Sequence, residues 1–530
     1  MSETDPIAPP RAPTEREAQR PPAPAYPPRQ VFSHRDIMRM LSGTVLGLFL
    51  GALDQTIVAT SLPAMVGELK GAQHLSWVVS AYLLTSTAST PVYGKLSDLY
   101  GRSALFRTAI ATFLAGSVAC GLASSMGMLI AGRALQGLGG GGLVSLAMTI
   151  IADIVPPRER GRYQAYFTAV WSSAAIGGPM LGGFLVDAAS WRWVFWINLP
   201  IAVAALLICG KELKRLPRGH GPAHIDYGGI ALMVPAVMAA LLVTTWAGTE
   251  LAWTSPAILG LVVATIVLLG LLVLQECRAR DPLLPPRVFR NSIFAVGNAI
   301  AFLGGAASVG GVIFLPLFLQ VVIGVSASNS GLLILPMMIG MTVGATATGR
   351  LVRRIGRYRI FPALGFAAAT VSFLVFVGVG RGTPGLVYGT AMAIMGAGLG
   401  PMGPAVTIAV QNSVEPRDMG TATSLWSFFR SMGGAFGVAL LGAILLAGLT
   451  GKDVGGVSGS GLLHGGPAMI AALPEATRQA IVAAFTHSFR YLYLAGAGIC
   501  GLAFVLTLFL KELPLRSRMP VSSAPPPRGE

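Results

Sequence analysis

Charge is what this sequence has least of: Asp, Glu, Lys and Arg make up 11% of its 530 residues, against about a quarter in an ordinary globular domain. Acids are the scarcer sign, 22 against 38 bases, so the net charge is +16. Cysteine is nearly absent as well. Cys120, Cys209, Cys277 and Cys500 lie far apart with no CxxC pair, which argues against a disulfide framework or a metal site and leaves them as packing residues. No Gly-Lys-Ser/Thr phosphate loop occurs, so the chain carries no ATPase of its own. Gly137 to Gly142 matches GxGxxG formally, yet a dinucleotide fingerprint needs a preceding strand and a βαβ unit, and the sequence offers neither. The basic residues are scattered and not interleaved with exposed aromatics, which excludes a nucleic-acid platform and points to anionic lipid headgroups instead.

What the sequence does have is apolar length. It is 53% hydrophobic, with mean hydropathy +0.67. A window of about 20 apolar residues, the length that crosses the hydrocarbon, finds fourteen spans, from 40–64 to 489–510. Lys and Arg crowd into alternate loops, while the intervening ones hold Lys70, Arg192, Arg381, Lys452, Arg478 and Arg490. The positive-inside bias therefore places both termini in the cytoplasm and requires an even number of spans. Residues 1–35 and 513–530 read as disordered cytoplasmic tails, rich in Pro with no apolar period. Two polar, Pro-rich linkers bracket the seventh and eighth spans. The chain thus divides into a six-helix bundle at 36–212, a linker with an inserted helix pair at 213–290, and a second six-helix bundle at 291–512.

One segment occurs twice. GKLSDLYGRSALF at Gly94 to Phe106 returns 255 positions later as GRLVRRIGRYRIF at Gly349 to Phe361, each time in the polar gap after the second span of its bundle. Internal repeats of this kind mark secondary transporters built from two halves. The glycines Gly94 and Gly101 suit a tight reversal between helices, and Arg102 lies one turn from Asp98, within pairing distance. A charged surface turn would explain the same pattern. The second copy carries Arg353 where the first has Asp98, so the halves are not equivalent.

The first copy resembles the loop motif of the major facilitator superfamily. LDQTIVATSLP at Leu53 to Pro63, AGRALQGLGGGG at Ala131 to Gly142 and AIGGPMLGG at Ala175 to Gly183 are similar to motifs of its drug:proton antiporters. With WRWVFWINLP at Trp191 to Pro200 and fourteen spans, the resemblance points to the fourteen-helix multidrug efflux group and covers roughly residues 35 to 515. It implies an all-α membrane protein of the major facilitator fold. Its partners would be the bilayer, protons and a small-molecule substrate, with no enzymatic activity, no bound cofactor and no metal. It further implies that Asp98, together with Asp153, latches the halves at the cytoplasmic side, and it associates Gly177, Gly178, Pro179, Gly182 and Gly183 with export. Close helix packing would account for those glycines equally.

Asp54 is an acid near the middle of a span, which costs about 2.5–3.5 kcal/mol on insertion scales and so needs a cavity, a partner or a proton. It is a candidate for proton coupling or substrate contact, with a structural anchor as the alternative. Arg133 in the fourth span, with Gln136 on the same face, cannot titrate; it would bias a carboxylate or hold acceptors, unless it only packs helices. Gln55, Asn298, Gln320, Gln411 and Trp426 are possible cavity groups, alongside Asn412 and Arg430. No acid falls inside spans 9 to 14. Many relatives in the resembled group that export organic cations carry extra membrane acids there, so the resemblance makes a dication a poor candidate, and a lipophilic, neutral or weakly cationic compound fits better. The expected activity is proton-driven export across the cell membrane by alternating access. A dedicated exporter of a metabolite, siderophore or lipid, or a non-transporting receptor of the same fold, are the alternatives. The Trp191, Trp193, Trp196 cluster reads as an aromatic-belt anchor.

Overall fold

A computed structural model describes residues 34–69, 74–212, 225–247, 251–449 and 475–515. Expectations about residues 1–33, 213–224, 450–474 and 516–530 lie outside the described residues. Among those described, the long helices are α1 (His34–Leu69), α2 (Leu75–Tyr100), α3 (Arg102–Gly121), α4 (Met126–Ile154), α5 (Pro157–Ala188) and α6 (Asn198–Glu212). Next come α7 (Tyr227–Trp246), α8 (Pro256–Arg278), α9 (Ser292–Phe318), α10 (Leu335–Ile355) and α11 (Ile360–Gly378). The last are α12 in two segments (Gly385–Leu399 and Met402–Asn412), α13 (Met419–Leu449) and α14 (Glu475–Phe509).

Twelve of these are long and apolar enough to cross a membrane. The exceptions are α2 and α6. The first is diluted by Thr85, Ser86, Thr87, Ser89 and Thr90, and the second is short, although an apolar stretch runs from Trp193 to Ile208. The hydroxyls of α2 are not exposed to lipid. Ser89 Oγ donates to Leu138 O at 3.1 Å, and a Cβ on Gly137 or Gly141 would lie 2.4 Å from Tyr82 O or 2.2 Å from Ser86 O. The opposite side of the same glycine run meets α3, where a Cβ on Gly139 would lie 2.4 Å from Phe113 N. The GxGxxG segment is thus a seam between three helices, not a phosphate cradle.

Two sequence expectations change here. The repeated segment is mostly helix: α2 runs through Gly94 and Asp98 to Tyr100, and the chain turns at Gly101 alone (φ 91°). The second copy behaves alike, with α10 ending at Ile355 and Gly356 at φ 75°. Only glycine tolerates this φ without strain. In addition, α14 starts at Glu475, well before the apolar run that marked it. Polar residues at a helix end are invisible to a hydropathy window.

Helices α1–α6 form one bundle and α9–α14 the other. The halves meet where α2 packs on α13 and α5 on α10, with α4–α13 and α5–α12 contacts beside them. The inserted α7 lies over the α2–α13 seam, burying Met233, Val237 and Leu241 in one apolar cluster with Leu84, Ala88 and the second bundle's core. Its partner α8 sits outside it and exposes Leu259, Val263, Ile266, Val267 and Val273, as a lipid-facing helix does.

Candidate functional site

The first bundle holds a buried charge network. Asp54 on α1 is fully enclosed, and each of its oxygens is occupied. Arg133 Nη1 donates to Oδ2 at 2.5 Å, while Gln136 Nε2 and Asn198 Nδ2 donate to Oδ1 at 2.7 and 3.1 Å. The guanidinium also gives Nε to Val78 O (3.1 Å) and Nη1 to Gln136 Oε1 (2.7 Å), and lies 4.4 Å over the Tyr82 ring. Ser117 Oγ receives Gln136 and Asn198. Two helices, α4 and α6, therefore donate to a carboxylate carried by α1, and residues of α2 and α3 hold the donors in place. A buried pair is kept only where such additional hydrogen bonds offset desolvation, and removing one partner typically costs 3–5 kcal/mol.

A second network joins the halves at the end of the bundle that carries the Arg-rich loops. Asp98 Oδ1 accepts Gly420 N (3.0 Å), and Oδ2 accepts Thr421 N (2.8 Å) and Thr421 Oγ1 (2.9 Å). An acid on α2 thus caps the N-terminus of α13 from across the interface, where unpaired amides and the helix dipole favour negative charge. Arg102 bridges Asp98 (2.5 Å) and Asp153 (2.8 Å) and donates to Ser97 Oγ (2.6 Å). Gly94 allows the approach: a Cβ there would fall 1.8 Å from Ser424 Oγ and 2.8 Å from Gly420 O. Arg160, 2% exposed, adds a second tie, donating to Gln411 Oε1 (3.2 Å) as well as to Val155 O and Ala152 O. Further along, Ser172 Oγ meets Thr342 Oγ1 at 3.0 Å between α5 and α10.

Between the networks stands α5. Gly178 and Gly182 are notches for α1: a Cβ at Gly178 would lie 2.0 Å from Thr56 Oγ1, and one at Gly182 would lie 2.3 Å from Thr60 Oγ1. Thr56 Oγ1 donates to Ala174 O at 2.8 Å. Gly177 and Gly183 have open space, and Pro179 is exposed. The motif therefore divides, two glycines packing and two not. Gly178→Ala should lower thermal stability by about 1–3 kcal/mol through overpacking, whereas Gly177→Ala should be neutral or slightly stabilising. Parallel melting curves of the two purified variants check this, and equal losses would refute the division.

The candidate cavity residues scatter. Gln411 belongs to the inter-half tie, and its Nε2 donates to Thr423 Oγ1 (3.2 Å). Gln320 sits in a π-turn after α9 and donates to Ser330 Oγ at 3.0 Å. Asn298 donates to its own helix at Phe294 O (2.9 Å), and its Oδ1 has no partner among the described residues. Gln55 is half-buried beside Asp54, and Trp426 is enclosed on α13. Trp191 is not a lipid-facing anchor: it is buried, and its Nε1 donates to Glu68 Oε2 at 2.7 Å, while Trp193 is the exposed member of the cluster. Arg192 completes that staple, and its hydrogen bond holds the Glu68 carboxyl below the usual carboxylate range. Asn198, Ser117, Tyr82 and Arg160 were not singled out from the sequence. Asn198 had a signal, a polar residue in an apolar run, the same that marked Asp54.

A family model described as the Major Facilitator Superfamily matches residues 44–224 and 227–438. The chain belongs to that superfamily. It is 39% identical over 480 residues to the uncharacterized MFS-type transporter Rv1877 of Mycobacterium tuberculosis, covering 90% of this chain and 70% of that protein. It is 35% identical to the multidrug transporter protein MdtP of Bacillus subtilis, covering 77% and 75%. Among solved structures, the major facilitator proton:xylose symporter XylE shares the fold at a TM-score of 0.59 and 15% identity, covering 91% and 97%. As a superfamily transporter, the protein carries the two networks in distinct places: the acid–arginine pair inside one half, the Asp98 cap across both.

Proposed function

We propose that the protein is a proton-coupled antiporter that exports lipophilic or amphiphilic small molecules, drugs among them, across the cytoplasmic membrane by alternating access. The observation that carries the reading is the enclosed Asp54–Arg133 pair, whose Arg133 stands on α4, a helix that packs on α13 of the other half. Protonating Asp54 removes the charge that holds Arg133, and α1, which carries Asp54, is keyed by Gly178 and Gly182 to α5, which in turn packs on α10 of the other half. One proton thus acts on the packing of the half-to-half interface. With the charge-based topology, the Asp98 cap lies on the cytoplasmic side, so the state described is closed inward. Similarity to the multidrug transporter protein MdtP supports drug efflux. No cofactor is required, since one charge crossing about 100 mV supplies about 2.3 kcal/mol, roughly fiftyfold accumulation of a neutral substrate.

The test is proton flux from proteoliposomes loaded with a pH-sensitive dye, challenged with a chemically diverse panel of amphiphiles. Several unrelated compounds should each evoke flux and compete with one another. Flux with a single compound would indicate a dedicated exporter, and substrate transport without proton flux would overturn coupling.

A further inference from the structure

Arg430 stands about three turns into α13 with its charge unanswered. Among the described residues its guanidinium makes no hydrogen bond and no ion pair, and Nε is buried without an acceptor. Its one polar neighbour is the face of Trp426, 5.6 Å from Cζ to the ring centroid. Trp426, one turn earlier, is 1% exposed, and its indole N–H also lacks an acceptor among the described residues. Two donors on the same helix face are therefore left open at membrane depth.

The contrast with the other buried guanidinium groups is sharp. Arg102 has Asp98 and Asp153, Arg133 has Asp54, and Arg160 has two carbonyls and Gln411. A guanidinium does not shed its proton at accessible pH, and a cation at this depth persists only beside a counter-charge or a water-filled cavity. Among the described residues no counter-charge is at hand in its own bundle: the acids there, Glu415, Asp418, Glu475 and Glu512, stand at or beyond helix ends, and none pairs with Arg430. The direction of the face is set by Ser427, whose Oγ lies 3.8 Å from Met148 Sδ of α4 in the other half. Side chains three and four apart share a helix face: Arg430 is three from Ser427, which looks to the other half, and four from Trp426, on the side where Gly433 and Gly437 pack against α9, so Arg430 stands at the edge of the seam between the bundles. Arg430 is partly exposed where Trp426 is enclosed, which makes the guanidinium the accessible end of the pair.

We propose that Arg430 and the Trp426 indole N–H form a headgroup site for an anionic amphiphile, a carboxylate or sulfonate on an apolar body, in the cleft between the halves. The site rests on the export reading above and gives it a substrate class, replacing the neutral or weakly cationic compound expected from the sequence. The oxyanion accepts from the guanidinium fork and the indole N–H, the two groups now without acceptors, while the apolar part lies against the helix faces that line the seam. The membrane potential then favours export twice over, acting on the entering proton and on the leaving anion.

The test uses full-length protein in nanodiscs, with no gradient, and three probes sharing one body: pyrenebutyrate, its methyl ester, and pyrenebutyl-trimethylammonium. Binding is read by energy transfer from tryptophan, with protein-free discs subtracted. Pyrenebutyrate should bind about tenfold or more tightly than either other probe, the worth of a hydrogen bond to a charged group. Arg430→Gln should erase that preference without changing ester affinity, and Arg430→Lys should keep part of it. Trp426→Phe, which retains the ring and removes the N–H, should weaken the anion severalfold and leave the ester alone. Tightest binding by the trimethylammonium probe, or an anion preference that survives Arg430→Gln, overturns the site. Should Arg430→Gln not fold, an equal loss for all three probes in Trp426→Phe does the same. Because no gradient is present, failure of proton coupling leaves this result untouched, and gradient-driven export of cations alone would uphold coupling while sinking the site.

Discussion

Asp54→Asn should reduce gradient-driven accumulation to the level of protein-free liposomes while substrate binding in the absence of a gradient persists. Of the enclosed pair only the carboxylate can accept a proton, since a guanidinium does not release its own. The substitution has a second effect that must be separated from the first. Asn keeps an acceptor for Gln136 or Asn198 but turns a donor toward Arg133 Nη1, leaving a buried cation without its counter-charge, at a cost of about 3–5 kcal/mol. Asp54→Asn alone should therefore melt earlier. The pair Asp54→Asn with Arg133→Gln removes both charges, and replacing both partners of a buried ion pair is often neutral. Thermal stability should recover in the double variant, and accumulation should not. A double variant that still couples transport to pH would assign the proton to another group.

The path to that prediction shows what a sequence of this kind discloses. Asp54 and Arg133 stood out because charge within an apolar run is costly, a rule that needs no coordinates, and the structure brings them together at 2.5 Å. The fourteen helices followed from hydropathy, but their ends did not. Gly94 to Tyr100 reads as a loop by polarity and is helix because Asp98, Ser97 and Arg102 satisfy one another and α13 across the interface. Depth and rotation were the harder quantities. Gln411 and Gln320 looked equivalent as polar residues near span ends, yet one ties the halves and the other closes a π-turn. Arg160 was read only as a topological charge, because nothing in a basic loop distinguishes an arginine facing lipid headgroups from one that is 2% exposed. Arg430 is the reverse case: its position was plain, and what the structure adds is that among the described residues no acceptor answers its Nε.

Asp98→Asn should open the closed end of the bundle. Asp98 accepts three hydrogen bonds from Gly420 and Thr421 and one ion pair from Arg102, and an amide cannot replace them, because its NH2 would face the donors that Oδ2 now accepts. Each hydrogen bond to a charged group is worth about 1.5–3 kcal/mol, so losing the equivalent of one shifts a two-state equilibrium about 10- to 150-fold. Spin labels at Tyr100→Cys and Arg417→Cys, exposed positions on either side of the interface, report the separation directly. In the parent the short distance should dominate, and in Asp98→Asn a longer population should appear. Thr421→Val, which removes a single neutral donor and leaves both backbone amides in place, should move the distribution much less. The same logic predicts an asymmetry between the repeats: Arg353, which stands in the second copy where Asp98 stands in the first, is a cation and cannot cap a helix N-terminus. Arg353→Gln should therefore leave the distance distribution close to that of the parent. If it opened the interface as far as Asp98→Asn does, the closure would depend on both copies, and the assignment of the cap to the first half alone would fail.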